Sequence, residues 1–285
     1  MRVALASCDP YPAVLDDEGP LRDALVARGV EVVSPAWDAD FAWHEVNAVL
    51  LRTTWDYHVR AAEFLAWCRR VATQVRLFNS ADVVAWNIDK RYLRELCARG
   101  VAIAPTTWVT SPDELGALPA HGIIKPIIGA NAFATLRYDC APDAARRLVL
   151  DQLARHPTLG GFMVQPYLAS VEREGELSAI VIDGRCVTGI RKVPADGDFR
   201  VQEDWGAKDE PYLLSAAERA HAEQVVGIAS AIVGDLLYAR VDYLRDSDGR
   251  LVVNELELVE PSLFFRHGGP TADALAAGLV QRMRI

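Results

Sequence analysis

The chain has 285 residues, 51% of them apolar and 24% charged, which is enough for two or three small subdomains built around real cores. A formal net charge of −9 argues against a polyanion-binding surface, so nucleic acid is not an expected partner, and any anion site must be built from individual Lys and Arg side chains. Five scattered cysteines without a C-x-x-C pair exclude a zinc or disulfide framework and read as reduced intracellular thiols. The opening run MRVALAS is shorter than a signal-peptide core, and residues 225–237 are broken by Ser230 and Asp235. The expectation is therefore a cytoplasmic protein with no membrane partner.

Up to about Leu77, short apolar strands (2–6, 31–33, 48–51) alternate with amphipathic helices (20–28, 59–73). That alternation predicts a parallel sheet covered on both faces, whose ligands sit beyond the carboxyl ends of the strands. The polar, aromatic loop Arg52-Thr53-Thr54-Trp55-Asp56-Tyr57 falls at such an end, although a solvated connection is the plainer alternative. From Ser80 the spacing predicts a helix carrying Lys90, a strand over 104–109, a helix start at Ser111, and a strand over 122–126 followed by a small-residue loop at 129–132. A helix over 143–155 precedes strands at 162–165, 177–182 and 185–193, the last two joined by Asp183-Gly184, a strong hairpin signal. A long helix over 216–233 then leads into a second hairpin, 237–244 and 251–259, turning at Asp246-Ser247-Asp248-Gly249.

The final hairpin is the most informative segment. Residues two apart on a strand share a face, so Glu255 and Glu257 point together out of an apolar run, and Asp242 can face them from the partner strand. Three carboxylates on one face repel one another unless a cation lies among them, and oxygen-only ligation suits Mg²⁺ shared with substrate phosphates. In the blander reading the face is merely solvated, with Arg240 as its salt-bridge partner. Phosphates in turn need cations and backbone donors. Lys125, before the Gly129 loop, supplies both kinds of group, and Lys192 at a strand end and Arg200 after a flexible turn add further charge. The sequence has no P-loop, no dinucleotide fingerprint after the first strand and no nucleophile elbow.

The order Asn87-x-Asp89-Lys90, Ile124-Lys125-Pro126, Gln165-Pro166-Tyr167-Leu168 and Gly175-Glu176-x-Ser178 resembles the ATP-grasp superfamily. Arg191-Lys192-Val193-Pro194, Asp198-Phe199-Arg200-Val201-Gln202, Arg240-Val241-Asp242 and Asn254-Glu255-Leu256-Glu257 continue the match over nearly the whole chain. The segment 165–202 is similar to prokaryotic glutathione synthetases, whereas RTTWDY, WNIDK and ELELVEPSLFF resemble the branch whose members cyclise O-ureido-D-serine in D-cycloserine biosynthesis.

The resemblance implies an α/β fold in three parts. These are an N-terminal parallel α/β domain (1–80), a central lid subdomain (81–160) and a C-terminal antiparallel-sheet subdomain (161–285), with ATP between two antiparallel sheets. It assigns Lys90, Lys125 and Gly129 to the nucleotide phosphates, with Lys125 also near adenine. Gln165, Tyr167 and Leu168 would form the adenine hinge, and Glu176 would lie near the ribose. Lys192 and Arg200 would meet the transferred phosphate, with Gln202 beside them and Arg240 as a further catalytic cation. Asp242, Glu255 and Glu257 would hold Mg²⁺. Arg52, Asp56 and Tyr57, with Ser262 and Arg266, are the candidates for gripping a small amino-acid-like substrate. The phosphate loop departs from the family in carrying only Gly129 where many members have several glycines. The implied reaction passes through an acyl phosphate, in a protein expected to be a homodimer. An intermolecular carboxylate–amine ligase and a non-catalytic nucleotide-binding protein are the alternatives.

Overall fold

A computed structural model describes residues 1–9 and 16–284. In chain order the N-terminal elements are β1 (Arg2–Ser7), α1 (Gly19–Val26), β2 (Glu31–Val33), β3 (Ala48–Thr53), α2 (Ala61–Ala72) and β4 (Arg76–Phe78). They form a four-stranded parallel sheet of order β2-β1-β3-β4. β1 and β3 read as continuous apolar runs because both of their faces are covered. β3 runs two residues past its apolar stretch, through Arg52 and Thr53, because the buried Arg52 finds a carboxylate partner in Glu18. Three-residue β4 is too short to show a period and was not anticipated.

The single helix expected around Lys90 is two short ones, α3 (Ala81–Asn87) and α4 (Tyr92–Ala98), with Lys90 in the joint. Ser80 caps α3 by accepting a hydrogen bond from the Val83 amide. Beyond them come β5 (Thr107–Val109), β6 (His121–Pro126), β7 (Leu136–Asp139), α5 (Pro142–Arg155) and β8 (Phe162–Pro166). The helix start expected at Ser111 is a single 3₁₀ turn, Pro112–Glu114, with a capping box. These strands form an antiparallel sheet of order β5-β8-β6-β7, backed by Ala145 and Val149 of α5. Because β8 pairs with both β5 and β6, this sheet continues past the expected boundary at residue 160. α3 and α4, by contrast, contribute Val83, Leu93 and Leu96 to the core that contains Val225 and Val226.

The remaining elements are α6 (Ser170–Glu174), β9 (Glu176–Ile182), β10 (Arg185–Val193), β11 (Lys208–Pro211), α7 (Ala216–Val233), β12 (Tyr238–Arg245), β13 (Leu251–Glu257) and α8 (Thr271–Met283). Five strands make a sheet of order β11-β10-β9-β12-β13. The β9–β10 hairpin turns where expected, with positive φ at both Asp183 (51°) and Gly184 (74°), the backbone that suits right-handed strand twist. α7 starts and stops where the periodicity places it, opened by a reciprocal Ser215–Glu218 capping box. One face of this sheet packs on α7, α3 and α4. The other shares a core with α8 and the N-terminal sheet, where Ile180 and Ile182 meet Leu5, Leu50 and Leu279. α6, the polar edge strand β11 and α8 have no counterpart among the expected elements. Among the described residues, no helix is long and apolar enough to cross a membrane.

Candidate active site

A cavity of about 290 Å³ lies between the two antiparallel sheets and reaches the rim of the N-terminal sheet. Lys125 and Gln165 line it from the central sheet, with Gly129, Tyr167 and Leu168 beyond the strand ends. Glu176, Lys192, Arg240, Asp242, Glu255 and Glu257 line it from the C-terminal sheet. Lys90, Arg200 and Gln202 enter from connections, and Tyr57, Ser262 and Arg266 close the far end. Residues widely separated in sequence are thus brought onto one wall.

Arg52 and Asp56, expected among the substrate contacts, are not part of that wall. Arg52 donates to Glu18 at 2.7 Å and to the Pro261 carbonyl at 3.0 Å, tying the end of β3 to the segment after β13. Asp56 accepts from Trp37 Nε1 at 2.8 Å and from Arg60 at 3.3 Å. Both side chains are committed to fastening the N-terminal domain, a role that a loop position in sequence does not reveal. Arg266 is held by Asp17 at 3.1 Å and paired with Glu203 and Asp209, and Asp17 also accepts from Ser262 Oγ at 3.2 Å.

The register of β12 against β13 sets Asp242 opposite Glu255 and Arg240 opposite Glu257. A bulge between the Asp242 and Tyr243 pairings leaves Asn254 as the extra residue. Asn254 therefore joins Glu255 at the cavity, where strict alternation would have turned it away. Its amide accepts from Lys125 Nζ at 2.7 Å and donates to Glu176. Lys90 Nζ donates to the Gly129 carbonyl at 2.6 Å and pairs with Glu255 at 3.0 Å. Lys192 pairs with Asp242 at 3.1 Å and with Glu176. Arg240 grips Asp242 at 2.9 Å, pairs with Glu257 and donates to the Ser262 carbonyl at 3.1 Å. Arg200 is held by Asp198 at 2.6 Å, with its guanidinium 3.4 Å from the Trp205 ring centroid.

Burial and mutual charge set the ionisation here. Burial opposes the Asp242 carboxylate, but Arg240 and Lys192 outweigh it and hold the group well below the usual range. Burial would also lower Lys192, yet Asp242 and Glu176 raise it, so its ammonium persists. Lys125 is lowered by desolvation, which Glu255 and Glu176 only partly offset. Burial pushes Glu257 up to about 8, with Arg240 opposing and Asp242 and Glu255 adding to the rise.

Among the described residues, no three His, Cys, Asp or Glu side chains are gathered into a closed metal cage. The donor set nevertheless fits a hard divalent cation. Glu255 and Glu257 share the cavity face with Asp242, and all of these donors are oxygens. Mg²⁺ takes only one or two protein carboxylates when phosphates and water complete its shell.

The wall also holds residues that sequence reasoning passed over: Asp17, Glu18, Asn254, Phe199 and Glu260. Glu260 was visible only as one more acid in ELELVEP, beyond the end of the alternating strand. Burial pushes it up to about 7, against the opposing charge of Arg240. Gln202 leaves a buried Oε1 without a hydrogen-bond partner.

Comparison with known proteins agrees with this architecture. The family model for the N-terminal domain of D-cycloserine synthetase DcsG matches residues 3–79, and that for the RimK-like ATP-grasp domain matches residues 129–259. The cycloserine biosynthesis protein DcsG of Streptomyces lavendulae is 33% identical, with 94% of each chain covered. A probable alpha-L-glutamate ligase of Xanthomonas campestris pv. campestris (strain B100) is 28% identical over 61% of this chain and 59% of its own. The crystal structure of D-cycloserine synthetase DcsG matches with a TM-score of 0.87 at 30% identity, covering 99% of this chain and 100% of that one.

Proposed function

The chain belongs to the D-cycloserine synthetase family of ATP-grasp ligases, C–N bond-forming enzymes, and from that premise we propose that it cyclises O-ureido-D-serine to D-cycloserine, driven by Mg²⁺-ATP. The observation that carries this reading is the one cavity that Lys90, Lys125, Lys192 and Arg240 line together with the carboxylates Asp242, Glu255 and Glu257. Phosphoryl transfer needs positioning and charge neutralisation more than covalent help from the protein, and this wall offers both.

In this reading Gln165, Tyr167 and Leu168 hold adenine and Glu176 lies near the ribose. Lys90, Lys125 and the Gly129 loop meet the phosphates. Asp242, Glu255 and Glu257 would hold Mg²⁺, which would supply charge neutralisation for the phosphates when bound. Lys192, Arg200 and Arg240, with Gln202 beside them, face the γ-phosphoryl group as it passes to the substrate carboxylate. The nitrogen bonded to oxygen in the ureido group of the same molecule then attacks the acyl carbon and phosphate leaves. Water removes the carbamoyl group as carbon dioxide and ammonia. ATP, O-ureido-D-serine and water thus give ADP, phosphate, D-cycloserine, carbon dioxide and ammonia. Holding both reacting ends of one molecule supplies much of the rate advantage. Tyr57, Ser262 and Arg266 border the space for that molecule.

Purified protein given O-ureido-D-serine and ATP, with no added amine, should release ADP and phosphate, with cycloserine seen by mass spectrometry. AMP and pyrophosphate would refute the acyl-phosphate route. ADP formation only after a second amino acid is supplied would replace cyclisation by intermolecular ligation. Light scattering reads the homodimer that belongs to the same proposal.

A further inference from the structure

The buried and half-buried acids in the cavity wall have partners, with one exception among the described residues. Glu18 is held by Arg52 at 2.7 Å, Asp17 by Arg266 at 3.1 Å and Glu255 by Lys90 at 3.0 Å. Asp242 has both Arg240 and Lys192, Glu257 has Arg240, and Glu176 has Lys192. Glu260 is only 7% exposed and lines the same cavity, yet its carboxylate makes no hydrogen bond or ion pair. Its backbone carbonyl accepts from Trp55 Nε1 at 3.4 Å.

A carboxylate withdrawn this far from water without a cation in contact is costly, and the cost is offset when a ligand brings a charge into contact. We propose that Glu260 is the group that receives the α-ammonium of the substrate, an inference that rests on the amino-acid reading above. The neighbouring acids Asp17 and Glu18 are already neutralised by their own arginines, so they have less to offer an incoming ammonium. Glu260 is also anchored through the backbone. Trp55 holds its backbone, and the next residue, Pro261, gives its carbonyl to Arg52 at 3.0 Å. On the transfer side, Arg240 reaches the Ser262 carbonyl at 3.1 Å, two residues along from Glu260. A zwitterion with its ammonium at Glu260 therefore meets an unpaired opposite charge there, while its reacting carboxylate lies toward Arg240, whose charge Asp242 and Glu257 already share.

The test compares O-ureido-D-serine with the same compound lacking the amino group, 3-(ureidooxy)propanoic acid, in wild type and Glu260→Gln at saturating ATP. Truncating one partner of a buried charge pair costs roughly 30-fold or more. Wild type should therefore prefer the amino substrate by at least about that factor in kcat/KM, and the near-isosteric Glu260→Gln should abolish most of the preference. The value for the des-amino compound and the KM for ATP should stay within about twofold, since neither uses this charge. Glu260→Asp, which keeps the charge on a shorter arm, should be intermediate, and it carries the test if Glu260→Gln no longer binds ATP. An unchanged preference in the variants, or none in wild type, overturns the inference while leaving cyclisation standing. Absence of any wild-type turnover of O-ureido-D-serine sinks the cyclisation reading, and the inference falls with it.

Discussion

The Arg52–Glu18 pair and the network around Asp242 are both buried arrays of opposite charge, but they are built for different ends. Arg52 is 2% exposed, donates twice to one carboxylate and once to a carbonyl, and lies 5.5 Å from the Phe265 ring centroid. It forms no part of the cavity wall. Around Asp242, each cation is shared between acids, and burial, with the neighbouring Asp242 and Glu255 adding to it against Arg240, pushes Glu257 up to about 8. The first array is spent mainly on tying β3 to Glu18 and Pro261, although Arg52 Nη1 is buried without a hydrogen-bond partner, whereas the second shares its cations among acids that face the cavity. The contrast teaches that burial of an ion pair says little about function until one asks what its unused valence faces.

The largest effect should come from Lys192→Met. Loss of a cation at the transferred phosphate is expected to cut turnover by about 10³-fold. The fold should survive, because Asp242 keeps Arg240 and Ser178 and Glu176 keeps Asn254. ADP release and a thermal melt read the two sides, and a variant that melts early but turns over normally would place Lys192 in the structural class.

Arg52→Met is the converse. It leaves Glu18 buried without its partner and should cost about 3 kcal/mol of stability. The KM for ATP at a permissive temperature should be unchanged. Denaturant unfolding checks the first expectation and steady-state kinetics the second. A selective rise in substrate KM with normal stability would return Arg52 to the site.

Glu255→Gln sharpens the comparison from the metal side. Turnover should fall by about 100-fold and recover in part with raised Mg²⁺ or with Mn²⁺, which accepts the same oxygen donors. Titrating activity against each metal distinguishes this from an acidic face that only solvates. The smallest effect is expected of Lys125→Ala, where one charge-assisted contact is lost. ATP affinity should weaken by roughly 10-fold, read by calorimetry, with little change in melting temperature.

Much of the scaffold was legible because its signals are local. Asp183-Gly184 specifies its turn by backbone preference, α7 carries its own cap in Ser215 and Glu218, and the two-residue spacing of Glu255 and Glu257 sets their common face whatever surrounds the strand. The inventory of acids and bases was legible for the same reason, since residue types are read directly. Short or polar elements such as β4, β11 and α6 were not, because an element of three to five residues is read only where a neighbouring signal marks it, as the helix stop at Gly29 marks β2. Pairing was decided only in three dimensions. Arg52 meets a carboxylate 34 positions away, and Lys125 meets an Asn254 turned inward by a bulge 129 positions along. Glu260 is left alone because Arg240, Lys192 and Lys90 are drawn to other acids. Electrostatic interaction falls with distance through space and takes no account of separation along the chain. Residue types and local spacing therefore set which charges this protein owns and which strands and helices carry most of them, whereas folding in three dimensions sets which of those charges are spent on one another and which remain for a ligand.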